Sequence, residues 1–243
     1  MMMIYILLTA HFLAEFSFQP AGLARGKREN FRFLAVHSAI YAGVFLTPLF
    51  LLVKFRYAFP AFILIVILHI LLDWGRTLLE GKCEDRHSRF ALFLADQVLH
   101  ISVISIVCFF FRLWEHTGFV YGNLMKWNHF EEFVIYFLIF VIIWDPASVF
   151  VKNLFLYLEN SNTGITAEEE PQIGRIIGKL ERLIISILIL CDQFGAVGFV
   201  LTAKSIARFR QLEDKNFAEK YLVGTLTSTV IAFITTLVLS QVL

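Results

Sequence analysis

Seven stretches of this chain are apolar for long enough to form helices in a hydrocarbon phase: about 2–18, 33–53, 58–75, 90–111, 131–157, 174–202 and 218–242. A helix needs roughly 20 apolar residues to cross a hydrocarbon core about 30 Å thick. The first run is short, and its second half carries His11, Glu15 and Gln19, which predicts a tilted or partly submerged helix facing protein. The sixth is longer than one span needs and is interrupted by Asp192, Gln193, Gly195 and Gly198. It predicts either one protruding helix or a broken or re-entrant pair, the kind of break that lines cavities in membranes. Asp145-Pro146 predicts an end or a kink in the fifth helix. The expected fold class is all-α, a polytopic integral membrane protein of about seven transmembrane helices.

The polar segments between these runs suggest how the chain is divided. Residues 112–130, with His116, Gly118, Gly122, Asn123 and Trp127, read as a loop outside the bilayer. So do residues 159–172, where Glu168, Glu169 and Glu170 form a solvated acidic patch ahead of a helix start at Pro171. The expected organisation is an N-terminal four-helix bundle over 1–113, a connector over 114–130, and C-terminal membrane helices over 131–243 with a Lys/Arg-containing segment. The stretch 159–172 is a further candidate boundary.

Composition agrees with this pattern. Of the 243 residues, 58% are hydrophobic and 17% charged, and the mean hydropathy is +0.72. Soluble domains run at about 45–50% apolar and about 25% charged. A net charge of +1 gives no reason to expect nucleic acid or a polybasic lipid anchor. Cys83, Cys108 and Cys191 are far apart and predict no disulfide framework. The N-terminus lacks a basic leader and a small-residue cleavage site, so it reads as a retained first helix. With the N-terminus outside, the loops left in the cytoplasm hold twelve of the 21 lysines and arginines, led by Arg25, Lys27, Arg28 and Arg32.

The chemistry lies in three pairs at one spacing: His11 with Glu15, His69 with Asp73, and Asp96 with His100. Groups four residues apart share a helix face, and ionisable groups inside apolar helices are costly and usually functional. Alternating helix direction places the first two pairs near helix C-termini and the third near an N-terminus, all at one side of the bilayer. His37, near the start of the second helix, falls at the same level. Imidazole and carboxylate without thiolate suit one or two Zn, Mn or Fe ions, with His11, His69, Asp73, Asp96 and His100 as metal ligands. Glu15 is a ligand or general base, and His37 a further ligand or an acid. Gln19, Lys27, Arg76 and Gln97 are candidates to bind an anionic substrate. A single such pair can also be a local ion pair, an interhelical hydrogen bond or a proton relay. His87, His116 and His129 lie in polar connectors and read as solvent-facing.

In the C-terminal third, Gly174 and Gly178 permit a close helix contact. Lys204 and Arg208 share a face and are candidates for an anionic head group, with Glu181 or Asp192 as partners. The alternative is that they are interfacial cations that snorkel.

Several motifs carry a resemblance: HFLAEFSFQ (11–19), VHS (36–38), HILLDWGR (69–76), FLADQVLH (93–100), IGKLER (177–182), GFVLTAKSIARF (198–209) and EKYLVGTL (219–226). Together they resemble the bacterial family labelled domain of unknown function 3307, over nearly the whole chain. The resemblance implies a polytopic bacterial membrane protein and no known activity. The family more often has Asp at the position of Glu15 and Lys at that of Arg76; both charges are kept, and the arginine excludes a deprotonated lysine there. Separately, LHILLDWGRT (68–77) looks like the His-x-x-x-Asp segment of predicted membrane-bound metal-dependent hydrolases.

These observations lead to an expected metal-dependent hydrolase acting in the bacterial cytoplasmic membrane on a lipid-linked phosphoester or related amphiphile. The alternative is a transporter or channel that relays protons or metal ions through the same pairs. The two differ in whether polar groups continue across the midplane. A third reading is a non-catalytic membrane component, for which His69 and Asp73 would be dispensable.

Overall fold

The computed structural model describes residues 2–19, 22, 26, 31–83, 85–158 and 172–243. Its helices are α1 (Met2–Phe12), continued by a π-helical turn (Leu13–Ser17), α2 (Phe31–Leu52), α3 (Phe55–Glu80), α4 (Arg86–Phe110), the short α5 (Phe119–Leu124), α6 (Phe130–Leu158), α7 (Gln172–Leu190), α8 (Phe194–Ala207), a 3-10 turn (Phe209–Glu213) and α9 (Lys215–Ser240). No strand occurs among the described residues, only an isolated bridge between Val53 and Thr117.

Five helices (α2, α3, α4, α6 and α9) are long and apolar enough to cross a membrane. The seven expected spans are not all of this kind, for two local reasons. The first apolar run is a 16-residue helix (Met2–Ser17), and the sixth breaks into α7 and α8. That break is a Schellman turn: Gln193 N–H donates to Leu188 O and Asp192 N–H to Ile189 O, with Asp192 at φ 57°. The same arrangement ends α4, where Leu113 N–H donates to Cys108 O, Arg112 N–H to Phe109 O, and Arg112 has φ 46°. Asp85 and Asp214 cap α4 and α9 by accepting the backbone N–H of Ser88 and Phe217. All three cysteines are free.

Residues 1–138 and 139–243 form two compact units, with the division inside α6. In the first unit α1 packs on α2 and α4, α2 on α3, and α3 on α4, closing a ring of four helices. The link between α2 and α3 is only Val53–Lys54, and that between α3 and α4 only residues 81–85, so these neighbours run antiparallel. Segment 116–118 holds the α2–α3 link through Lys54 N–H to His116 O and Gly118 N–H to Leu52 O. The buried core of the ring includes Met3, Leu7, Tyr41, Phe45, Leu49, Ile65 and Ile104.

In the second unit α9 packs on α7, and α7 on α8. Pro146 does not end α6, which runs on to Leu158. A proline inside a helix lacks an N–H and disturbs the carbonyls of the preceding turn, and the buried Arg182 of α7 fills this gap. Its Nε donates to Ile143 O at 2.6 Å, and its guanidinium also reaches Trp144 O, Ser148 Oγ and Ser228 Oγ. Beside it Lys179 meets Asp145 at 2.5 Å.

Two stability predictions follow from these local structures. Glycine removes the Cβ penalty of a left-handed residue, so Asp192→Gly and Arg112→Gly each raise unfolding stability by about 1 kcal/mol, read as a higher thermal midpoint in detergent. Arg182→Leu leaves several buried acceptors unmatched and lowers stability by more than about 2 kcal/mol, read in the same melt.

Candidate metal centre

The ring brings the polar ends of four helices to one place. Glu15 comes from the π turn that ends α1, His37 from the second turn of α2, His69 and Asp73 from the second half of α3, and Asp96 and His100 from the middle of α4. The π turn is closed by Phe18 N–H donating to Leu13 O, one residue further back than in an α-helix. The extra residue re-aims the side chains within it, and such bulges recur at functional sites. Glu15 is buried there, although a carboxylate in an apolar run would ordinarily be turned outward.

His37 is the hub. Its Nε2 lies 3.1 Å from Glu15 Oε2, 3.2 Å from Asp73 Oδ2 and 3.2 Å from His69 Nε2. His69 Nε2 and Asp73 Oδ2 are 3.8 Å apart. These four ligand atoms all lie within 4.8 Å of one another, and all four residues are buried. A tetrahedral ion with ligands at about 2.0–2.1 Å has ligand–ligand edges of about 3.3 Å. The observed spacings bracket that length.

Asp73 belongs to a second group as well, with Asp96 and His100. Its Oδ1 is 3.8 Å from His100 Nε2. The Nδ1 of His100 lies 2.8 Å from the Asp96 backbone oxygen. A carbonyl can only accept, so Nδ1 carries the proton and donates it, and Nε2 keeps its lone pair for Asp73's side of the site. That Nε2 has no hydrogen-bond partner in the protein. Asp96 Oδ2 is held by Arg76 at 2.8 Å and by Gln97 Nε2 at 2.9 Å. The remaining nitrogen of His69, Nδ1, is buried without a hydrogen bond, so that imidazole lacks the acceptor that often steadies a metal-binding histidine.

Charge is the second constraint. Glu15, Asp73 and Asp96 bring three carboxylates into one buried cluster, and Arg76 bonds Asp96. Buried carboxylates cost several kcal/mol unless compensated. These buried histidine, aspartate and glutamate clusters could hold a metal ion.

Not every expected residue joins the ligand groups. His11 stands one layer off: its Nδ1 is 3.3 Å from Tyr41 Oη and its ring stacks on His100 at 5.5 Å. Gln19, Gln97 and Arg76 are half-buried, with the Arg76 side chain 25% exposed. Lys27 lies outside the described residues. Lys204 and Arg208 belong to the second unit. There Lys204 bonds Glu181 at 2.5 Å, and both cations lie over the Tyr221 ring. Asp192, the other candidate partner, is exposed at the α7–α8 turn.

Tyr41 is a site residue that the search for His/carboxylate pairs passes over. It is fully buried, and its ring stacks on His69 at 3.5 Å and on Phe45 at 4.6 Å, forming the floor of the cluster. Its signal was present, since it follows His37 by four residues on the same face.

The family described as "Protein of unknown function (DUF3307)" matches residues 3–121. This segment belongs to that family. The matched stretch lies within the first unit and contains all six residues of the two ligand groups. The motifs at 177–182, 198–209 and 219–226 fall outside it. No curated protein and no solved structure matches the chain.

The Arg76–Asp96 contact gives a direct test of the local electrostatics. Arg76→Met strips the partly exposed cation from a buried carboxylate, and the thermal midpoint falls by an amount equivalent to about 1–3 kcal/mol. Arg76→Lys keeps the charge but not the planar fork, and recovers only part of the loss in the same assay.

Proposed function

We propose that this protein is a divalent-metal-dependent hydrolase of the bacterial cytoplasmic membrane, acting on a lipid-linked phosphoester or a related amphiphile. The observation that carries the reading is the convergence of Glu15, His37, His69 and Asp73 at ligand–ligand spacings, with the second oxygen of Asp73 turned to His100. His37, His69 and Asp73 would hold a first Zn, Mn or Fe ion, and Asp73, Asp96 and His100 would hold a second. Divalent ions beside these carboxylates would attract the negative oxygens of a phosphoester.

Bound ions of this kind supply Lewis acidity and an activated water. The chain's own groups do the rest. Glu15 takes the proton as the water oxygen bonds to phosphorus, and returns it to the leaving oxygen as the old P–O bond breaks. Arg76 and Gln97 fix Asp96 and, with Gln19, face an anionic group entering from the half-buried side of the cluster. With the N-terminus outside, that side lies near the cytoplasmic face.

The floor of the site favours an enzyme over a carrier. Directly beyond the histidines lie Tyr41, Phe45, Leu49, Ile65 and Ile104, all buried. A route for ions through the ring would need polar groups at those positions.

Elemental analysis of purified protein tests the reading. Wild type carries between one and two equivalents of a transition metal. His37→Ala and Asp73→Ala each lose most of it, and Asp73→Ala loses the more if the carboxylate is shared. Because a deletion can also unfold the ring, Tyr41→Phe serves as the folded control and keeps its metal. Wild-type protein that stays metal-free after incubation with Zn²⁺, Mn²⁺ and Fe²⁺ would overturn the proposal.

A further inference from the structure

An apolar groove of about 540 Å³ runs beside the cluster, walled by α1, α2, α5 and the start of α6, all in the first unit. We infer that this groove holds one acyl chain of the lipid whose head group the metal centre processes. The inference rests on the hydrolase reading for the role of that lipid, but the groove itself is independent of any metal.

Three features point to this occupant. The first is position. On α1 the groove uses Thr9, Ala10 and Leu13, which flank His11 and enter the π turn that carries Glu15. On α2 it begins at Ile40, one turn from His37. A chain lying in the groove therefore ends beside the cluster. The second is length. From Ile40 to Leu52 the α2 wall extends about 18 Å, long enough to hold most of one acyl chain. The third is chemistry. Apart from Thr9 and Thr47 its side chains are apolar, and the Thr9 hydroxyl donates to Tyr5 O in its own helix. A polar or charged ligand would find no fixed partner along the walls.

Gly43 makes the idea testable. It lines the groove, and a Cβ built there meets no heavy atom within 4 Å. A large side chain at this position enters the groove from an uncrowded Cβ. The probe is a phosphatidic acid with one photoreactive palmitoyl chain, incorporated into nanodiscs of phosphatidylethanolamine and phosphatidylglycerol with the full-length protein. Crosslinked peptides are mapped, and metal content is measured on the same samples.

In wild type, crosslinks concentrate at least fivefold on the α1 and α2 groove residues relative to Ile63 and Ile67, exposed on α3. Gly43→Ala keeps this enrichment, and Gly43→Phe abolishes it while metal content stays at the wild-type level. Crosslinks spread evenly over α1, α2 and α3, or an enrichment that survives Gly43→Phe, overturn the acyl-chain site. Absence of metal with the enrichment intact instead removes the hydrolase reading and leaves the groove as a lipid site.

Discussion

Three carboxylates buried at one end of an apolar four-helix ring must be compensated, and the first unit is organised around that requirement. Glu15, Asp73 and Asp96 each come from a different helix, and Arg76 bonds Asp96 directly. Burying charge without compensation costs more than any single apolar contact in the ring returns. The neutral alternative is to share protons among the imidazoles, but His37 is already surrounded by two carboxylate oxygens and another imidazole nitrogen at 3.1–3.2 Å. Two imidazole nitrogens facing each other at hydrogen-bond distance can share only one proton between them. A cation in the middle would satisfy all four atoms at once, which is why this cluster could hold a metal ion.

That constraint also explains the irregular piece of the bundle. A regular α1 continued past Phe12 would carry Glu15 on a face set by His11. The π turn inserts one residue and breaks that register, so His11 can pack against Tyr41 and His100 while Glu15 reaches His37. The two members of the first pair therefore do different jobs. His11 belongs to the aromatic floor with Tyr41, and Glu15 to the ligand group.

Much of this was legible in the chain. The four-residue spacing of the pairs and the alternation of helix direction together placed six side chains at one end of the ring, and the distances agree. What the spacing could not show was which partners belong together. His37 has no carboxylate four residues away, so it read as an accessory; its partners Glu15 and Asp73 come from other helices. Of the seven apolar runs, five are helices long and apolar enough to cross a membrane among the described residues. The interruption at Asp192 was visible, but hydropathy does not register the left-handed conformation there that decides between one long helix and a broken pair. Pro146 likewise suggested an interruption, because the arginine that satisfies its disturbed carbonyls lies 36 residues further along the chain.

The second unit shows how the same physics yields a different outcome. There too a charge is buried: Arg182 has only 3% of its surface exposed. Yet its guanidinium donates to carbonyls and hydroxyls of α6 and α9. Five fixed N–H donors suit such neutral acceptors, and the arrangement ties three helices together. The second unit has no histidine to offer a ligand atom, since the last histidine in the chain is His129. The buried cation here is a structural pin for a proline-weakened helix. The first unit instead gathers buried carboxylates with converging imidazoles, a set that could hold an external cation.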